Sequence, residues 1–119
     1  MIRLSILVVI LGLSFFVVPS SAFRPNQASG KIKVILDTDI GDDIDDAWAL
    51  AFAISHQNFD LLGVTITHGN TPARAKIALK MLHITGRDSV PVAVGRKTSD
   101  GYYHQYTWAE DFTAKQPVP

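Results

Sequence analysis

No cysteine occurs in the 119 residues, which excludes disulfide cross-links and zinc–thiolate centres as sources of stability. Excess charge is also missing: eleven Lys and Arg balance eleven Asp and Glu, so there is no basic footprint for a nucleic-acid partner. No internal repeat or low-complexity tract is present. Long apolar runs are confined to the first residues. There, Met1-Ile2-Arg3 precedes an almost unbroken apolar stretch over residues 4–18, closed by Pro19-Ser20-Ser21-Ala22. That stretch is shorter than the roughly 20 residues a membrane span needs. The small residues Ser20 and Ala22 fit a signal-peptidase site, so residues 1–22 are expected to be a signal peptide cleaved before Phe23, with an uncleaved anchor as the other reading. Either way export to a periplasmic or extracellular location is expected, with no membrane association after cleavage. Residues 23–30, polar from Arg24 to Gly30, read as a short flexible lead-in. Without the leader, 97 residues remain, enough for one modest core.

What the chain has in abundance is acid in one place. Residues 37–46, Asp-Thr-Asp-Ile-Gly-Asp-Asp-Ile-Asp-Asp, carry six of the eleven acidic side chains. They lie between an apolar run at residues 32–36 and a helix-like run at 47–55. Carboxylates this crowded repel one another, and a hard divalent cation with oxygen ligands removes the penalty. An acidic helix N-terminus accounts for Asp45 and Asp46 but not for all six.

Three β-branched runs, residues 32–36, 61–66 and 90–94, read as strands. Two helical patterns alternate with them. Ala47, Leu50, Ala51 and Ile54 recur at helical spacing, and so do Ala75, Ala78, Leu79 and Leu82. The second pattern has Asn70 or Thr71 as cap, Pro72 in the first turn and Gly86 as its stop. The β-α-β-α-β order predicts an α/β fold with an open, Rossmann-like parallel sheet and right-handed crossovers. Ligands of such sheets bind beyond the carboxyl ends of the strands. The acidic loop, the loop Thr67-His68-Gly69-Asn70 and the loop Gly95-Arg96-Lys97 are therefore expected to share one rim.

The run from Asp37 through Asp46 into Ala47-Trp48-Ala49-Leu50 resembles the N-terminal fingerprint of inosine-uridine preferring nucleoside hydrolases. Val64-Thr65-Ile66-Thr67-His68-Gly69-Asn70 is similar to that family's strand-then-Gly-Asn segment, and Pro91-Val92-Ala93-Val94-Gly95 to its third strand. The resemblance covers residues 31–97. It implies hydrolysis of the N-glycosidic bond of a ribonucleoside to ribose and free base, with Ca2+ bound. By motif position it implies Asp39 as metal ligand and general base, Asp46 as second metal carboxylate and Asp37 as support for the metal from the strand end. Asp45 would hold ribose hydroxyls, and Asn70 would contact the ribose or orient the water. Two more residues than usual separate the Asp-Thr-Asp triplet from the Asp-Asp-Ala run. The match is anchored on Asp45-Asp46-Ala47, and Asp43 stays open as a rival ligand.

His68, in the second rim loop, is a candidate substrate contact. His56 and His83 read as structural, and the aromatic stretch from Tyr102 to Trp108 reads as a packed loop, with base stacking as the other use. Family members are much longer, so residues 31–119 are expected to be the N-terminal portion of the domain and feeble or inactive alone. A homo-oligomer stays open for the full-length form. Two rivals remain. A haloacid-dehalogenase-like Mg-dependent phosphohydrolase also places Asp-x-Asp after its first strand, and a non-catalytic calcium-binding module would explain the acid without turnover.

Overall fold

The computed structural model describes residues 30–115; the expected signal peptide and most of the lead-in lie outside them. β1 (Ile32–Thr38), α1 (Asp45–Ser55), β2 (Phe59–Ile66), α2 (Thr71–Ile84) and β3 (Val92–Val94) follow in order, then a 3-10 helix at His104–Ala109. The strands form a parallel sheet in the order β1-β2-β3. The fold is therefore the expected open α/β sheet. No helix among the described residues is long and apolar enough to cross a membrane.

Period-two alternation in β1 turns Val34, Leu36 and Thr38 toward the helices and leaves Ile35 exposed on the other face. The core lies between sheet and helices. Leu50 and Ala53 of α1 and Ala75, Ile77, Ala78, Leu79 and Leu82 of α2 close over Leu61, Val64, Ile66 and Val92. The α2 pattern thus buries the stripe that its spacing marks, whereas in α1 Leu50 alone of the pattern is buried and Ala47, Ala51 and Ile54 are half-buried. The β1–β2 register slips by one residue between Val34 and Ile35, where Leu62 is the extra residue.

Element ends differ from the sequence reading in ways that matter for the rim. β1 runs on through Asp37 to Thr38, so Asp37 lies inside the strand, not in the loop. β3 is shorter than residues 90–94: the Val90 N–H donates to the Arg87 carbonyl at 3.0 Å in a turn, and Pro91 has no N–H to offer. The cap of α2 is Asn70, whose side chain accepts from the Ala73 N–H at 3.5 Å, and Gly86 (φ +70°) ends the helix as expected.

Candidate active site

The register Thr38–Ile66–Val94 brings three strand ends to one level, so the loops that follow leave the sheet side by side. Backbone bonds continue the alignment: Thr67 N–H donates to Thr38 O at 3.0 Å and Gly95 N–H to Ile66 O at 2.8 Å. Thr71 Oγ1 donates to Gly95 O at 2.7 Å, tying the start of α2 to the third loop. The shared rim expected from topology is present.

The acidic loop is shaped from within. Thr38 is buried, and its hydroxyl donates to Asp46 Oδ1 at 2.7 Å while accepting from the Ile40 N–H at 3.1 Å. Ile40 is fully buried and pins the middle of the loop to the core. Burial pushes the Asp46 carboxyl above its ordinary pKa; the Thr38 hydrogen bond opposes this, and the charges of Asp39 and Asp45 reinforce it. Asp39 and Asp46 are therefore near neighbours at the end of β1. Asp45 and Asp43 are exposed, Asp45 in the first turn of α1. Ile44 takes the N-cap position of α1 without a capping side chain among the described residues, so neither aspartate is spent on capping.

Asp37 sits apart from this group. It is exposed on the uncovered face of the sheet, one residue out of phase with Thr38, and accepts a short hydrogen bond from Thr65 Oγ1. In the second loop His68 is exposed and holds φ +60°, a left-handed conformation uncommon outside glycine and enriched at functional sites. Gly69 is anchored to the third loop, its N–H donating to Thr98 Oγ1 at 2.8 Å and its carbonyl accepting from Thr98 N–H at 2.9 Å. Asn70 is half-buried. Its carboxamide oxygen caps α2, and it lines a cavity of about 240 Å³ with Tyr102, Tyr106 and Glu110. The aromatic stretch is packed only in part: Tyr106 and Ala109 are buried, with Tyr106 in edge contact with Tyr102 and Tyr103, while Tyr102 and Trp108 are exposed. His83 bonds Asp88 at 2.8 Å and His56 stacks on Phe52 and Phe59, which fits their structural reading.

Among the described residues no three His, Cys, Asp or Glu side chains converge on one point, so the loop gathers a carboxylate pair, not a finished cage. Electrostatics explains why: uncompensated like charges spread, with Asp42 turned toward Arg74 and Asp43 and Asp45 toward solvent. The donor set is all oxygen, and burial together with the neighbouring charges of Asp39 and Asp45 raises the cost of ionising Asp46, a cost that a bound cation would offset. Both properties fit a hard cation.

Three residues that hold this loop escaped the sequence reading. Thr38 was overshadowed by its flanking aspartates, although alternation from Val34 and Leu36 points it inward. Gln105 donates a short hydrogen bond to the Asp42 carbonyl across 63 positions, which no local pattern announces. Arg74 shares the stripe of Ile77 and Ala78 on α2, a signal for burial that its charge masks.

Comparison with known proteins agrees with this geometry. The family model for inosine-uridine preferring nucleoside hydrolase matches residues 34–116. That is further than the motifs reach, because the segment after β3 is held by burial and hydrogen bonds instead of a signature. The solved plant nucleoside hydrolase PpNRh1 superposes with a TM-score of 0.57 and 31% identity, over 73% of this chain and 31% of that one. A Corynebacterium ammoniagenes protein, described as an uncharacterized protein in the ribF 3′ region, is 47% identical over 73 residues. The match takes in 60% of this chain and 76% of that protein. Probable uridine nucleosidase 2 of Arabidopsis thaliana is 42% identical over 65 residues, 53% of this chain and 20% of its own. The fold is that of a nucleoside hydrolase type of α/β protein. The chain belongs to the inosine-uridine preferring nucleoside hydrolase family, and it spans about three quarters of the bacterial relative but only a fifth of the plant one.

Proposed function

We propose that the protein hydrolyses the N-glycosidic bond of ribonucleosides, giving ribose and free base, with Ca2+ held at the end of β1. The observation that carries this reading is the pairing of Asp39 with the Thr38-anchored Asp46 at the carboxyl end of the first strand, in a chain of this family. Asp39 and Asp46 would hold the cation, and Asp37 would brace the strand beneath them through Thr65. When bound, Ca2+ supplies ligand positions for water and for ribose hydroxyls and lowers the pKa of the water.

The side chains do the rest. Asp39 takes the proton of the attacking water as general base. The carboxylates around it favour the positive charge that develops on the ribosyl ring as the base departs. Asp45, exposed at the helix start, would accept hydrogen bonds from ribose hydroxyls, and Asn70 and His68, both in the second rim loop, would contact the ribose. The substrate is a small molecule; no nucleic-acid partner is invoked. The apolar N-terminal run supports export, tested by a reporter fused after Ala22, which must leave the cytoplasm.

The catalytic test incubates the protein, expressed from its own gene, with inosine and with uridine, and measures free base and reducing sugar. In the full-length form, release in millimolar Ca2+, its loss in EDTA and its loss in Asp39→Asn are expected, whereas residues 31–119 alone are expected to be feeble or inactive. Phosphate release from nucleotides with both nucleosides untouched would overturn the reading in favour of a phosphohydrolase.

A further inference from the structure

Arg74 is the largest fully buried side chain of the described residues, and it lies beneath the meeting point of the three rim loops. Its Nη1 donates to the Ile40 carbonyl at 3.1 Å. Nη2 stands 4.0 Å from Asp39 Oδ2 and 4.0 Å from Asp42 Oδ2, and neither Nη2 nor Nε has a hydrogen-bond partner among the described residues. The second loop touches it at Gly69, where a Cβ would lie 3.5 Å from Nη2. The segment that continues from the third loop provides Tyr103, just before the 3-10 helix, whose ring centre is 5.2 Å from Cζ.

A guanidinium does not shed its charge, and out of water it needs anions close by. The loop above it has the opposite problem, too many anions and no cation. Each arrangement is unfavourable alone and they compensate one another. Asp39 and Asp42 are both about half-exposed, so they bring the countercharge from the solvent side while the arginine stays dry.

We propose that Arg74 is the positioning residue of the acidic loop: it keeps Asp42 as a standing counter-ion and shares Asp39, which divides the loop into an arginine-held part and a ligand-facing part made of Asp39, Asp45 and Asp46. Asp42 is then no cation ligand. The loop keeps its shape before any ligand arrives because its internal cation is built into α2. Only the consequence for cation binding rests on the function proposed above.

The test is thermal unfolding of the full chain and its variants, in EDTA and in millimolar Ca2+. Asp42→Asn and Asp43→Asn remove the same charge one residue apart. In EDTA, Asp42→Asn is expected to lower Tm by roughly 4–8 °C, a shift typical of one lost interaction in a domain of this size. Asp43→Asn, at an exposed site, changes it little. Arg74→Met lowers Tm further, and adding Asp42→Asn to it causes no additional loss, because the partner is already gone. Arg74→Lys recovers much of the Arg74→Met loss, since the charge returns although the planar fork does not.

Equal effects of Asp42→Asn and Asp43→Asn, or full additivity of Asp42→Asn with Arg74→Met, would overturn the assignment and leave Arg74 as packing alone. Where Arg74→Met does not fold, the Asp42/Asp43 comparison and the Arg74→Lys/Asp42→Asn pair decide the matter. Calcium separates this inference from the proposed function. Asp42→Asn is expected to show the same calcium-induced rise in Tm as the parent chain, and loss of that rise in Asp42→Asn alone would overturn the division of the loop. If the parent chain shows no rise, the cation chemistry falls, while the EDTA series still supports Arg74.

Discussion

Thr38 and Asp46 are joined by a 2.7 Å hydrogen bond that runs from the last residue of β1 to the first turn of α1, eight positions along the chain. The bond closes the acidic loop at its base. Because the same hydroxyl also accepts from the Ile40 N–H, one buried side chain fixes both the loop's backbone and one of its carboxylates. The Asp46 position is thus set by strand and helix together.

Replacing Thr38 by Val keeps the shape and removes the hydroxyl. The loss is expected to be about 1.5–3 kcal/mol, the range for a hydrogen bond to a charged group, measured by urea unfolding at neutral pH. The Asp46 carboxyl also loses the one contact that lowers its pKa and moves higher still. Thr38→Ser retains the donor and is expected to recover most of the loss. Equal destabilisation by Val and Ser would assign the effect to packing of the Thr38 methyl.

The acidic loop also makes stability depend on pH. Burial raises the folded-state pKa of Asp46 above its ordinary value near 3.8. Between that value and the raised one, the native state binds more protons than the unfolded chain. The contribution of Asp46 is therefore fully present below pH 3.8 and is lost as pH rises through the folded-state pKa. In EDTA, unfolding free energy measured across this window is expected to decline less steeply with rising pH in Asp46→Asn than in the parent chain. Calcium, by favouring the carboxylate, should reverse the contribution; an identical slope in both proteins would refute the assignment.

How much of this was legible in the sequence depends on the range of each interaction. The alternation of Val34 and Leu36, the helical stripe from Ala75 to Leu82 and the Asn70–Pro72–Gly86 punctuation are local, and they gave the element order, the parallel sheet and the shared rim. The aspartate motif located the acidic loop and its family. Long-range terms were silent. Nothing near Asp37 in sequence says that Thr65, 28 positions away, holds it on the open face. Likewise the bond from Arg74 to Ile40 O spans 34 positions and depends on the folded crossing of α2 under the loop. Cation binding was read from charge density, whereas the structure shows that part of this charge already faces an internal partner.

Chemistry at Asp39 is tested by kinetics. Asp39→Asn removes a proton acceptor and a charged oxygen donor but keeps the side chain's size. With inosine as substrate, kcat is expected to fall by about 10²–10⁴, the range for loss of a general base. Calcorimetric titration with Ca2+ on the same variant is expected to show weakened binding, since the residue serves both roles in the proposed mechanism. Undiminished turnover would remove Asp39 from the mechanism whatever the calcium result.

Gly41 provides a test of the loop's backbone that is independent of any ligand. It holds φ +106°, where side-chain-bearing residues are strained, and a Cβ there would lie 2.6 Å from Ile77 Cδ1 and 2.9 Å from Tyr106 Cε1. Two separate terms follow for Gly41→Ala: backbone strain of about 1–3 kcal/mol and overpacking of about 1–3 kcal/mol. They can be separated, because Ile77→Val deletes the Cδ1 atom nearest to the new methyl without touching φ. Gly41→Ala is therefore expected to destabilise the parent chain more than it destabilises the Ile77→Val background, by an amount equal to the steric part it shares with Ile77. The remainder measures the left-handed turn together with the Tyr106 contact. If the penalty is the same in both backgrounds, Ile77 does not pack over Gly41 as described, and the path of the loop between Asp39 and Asp42 must differ from the one on which the site is built.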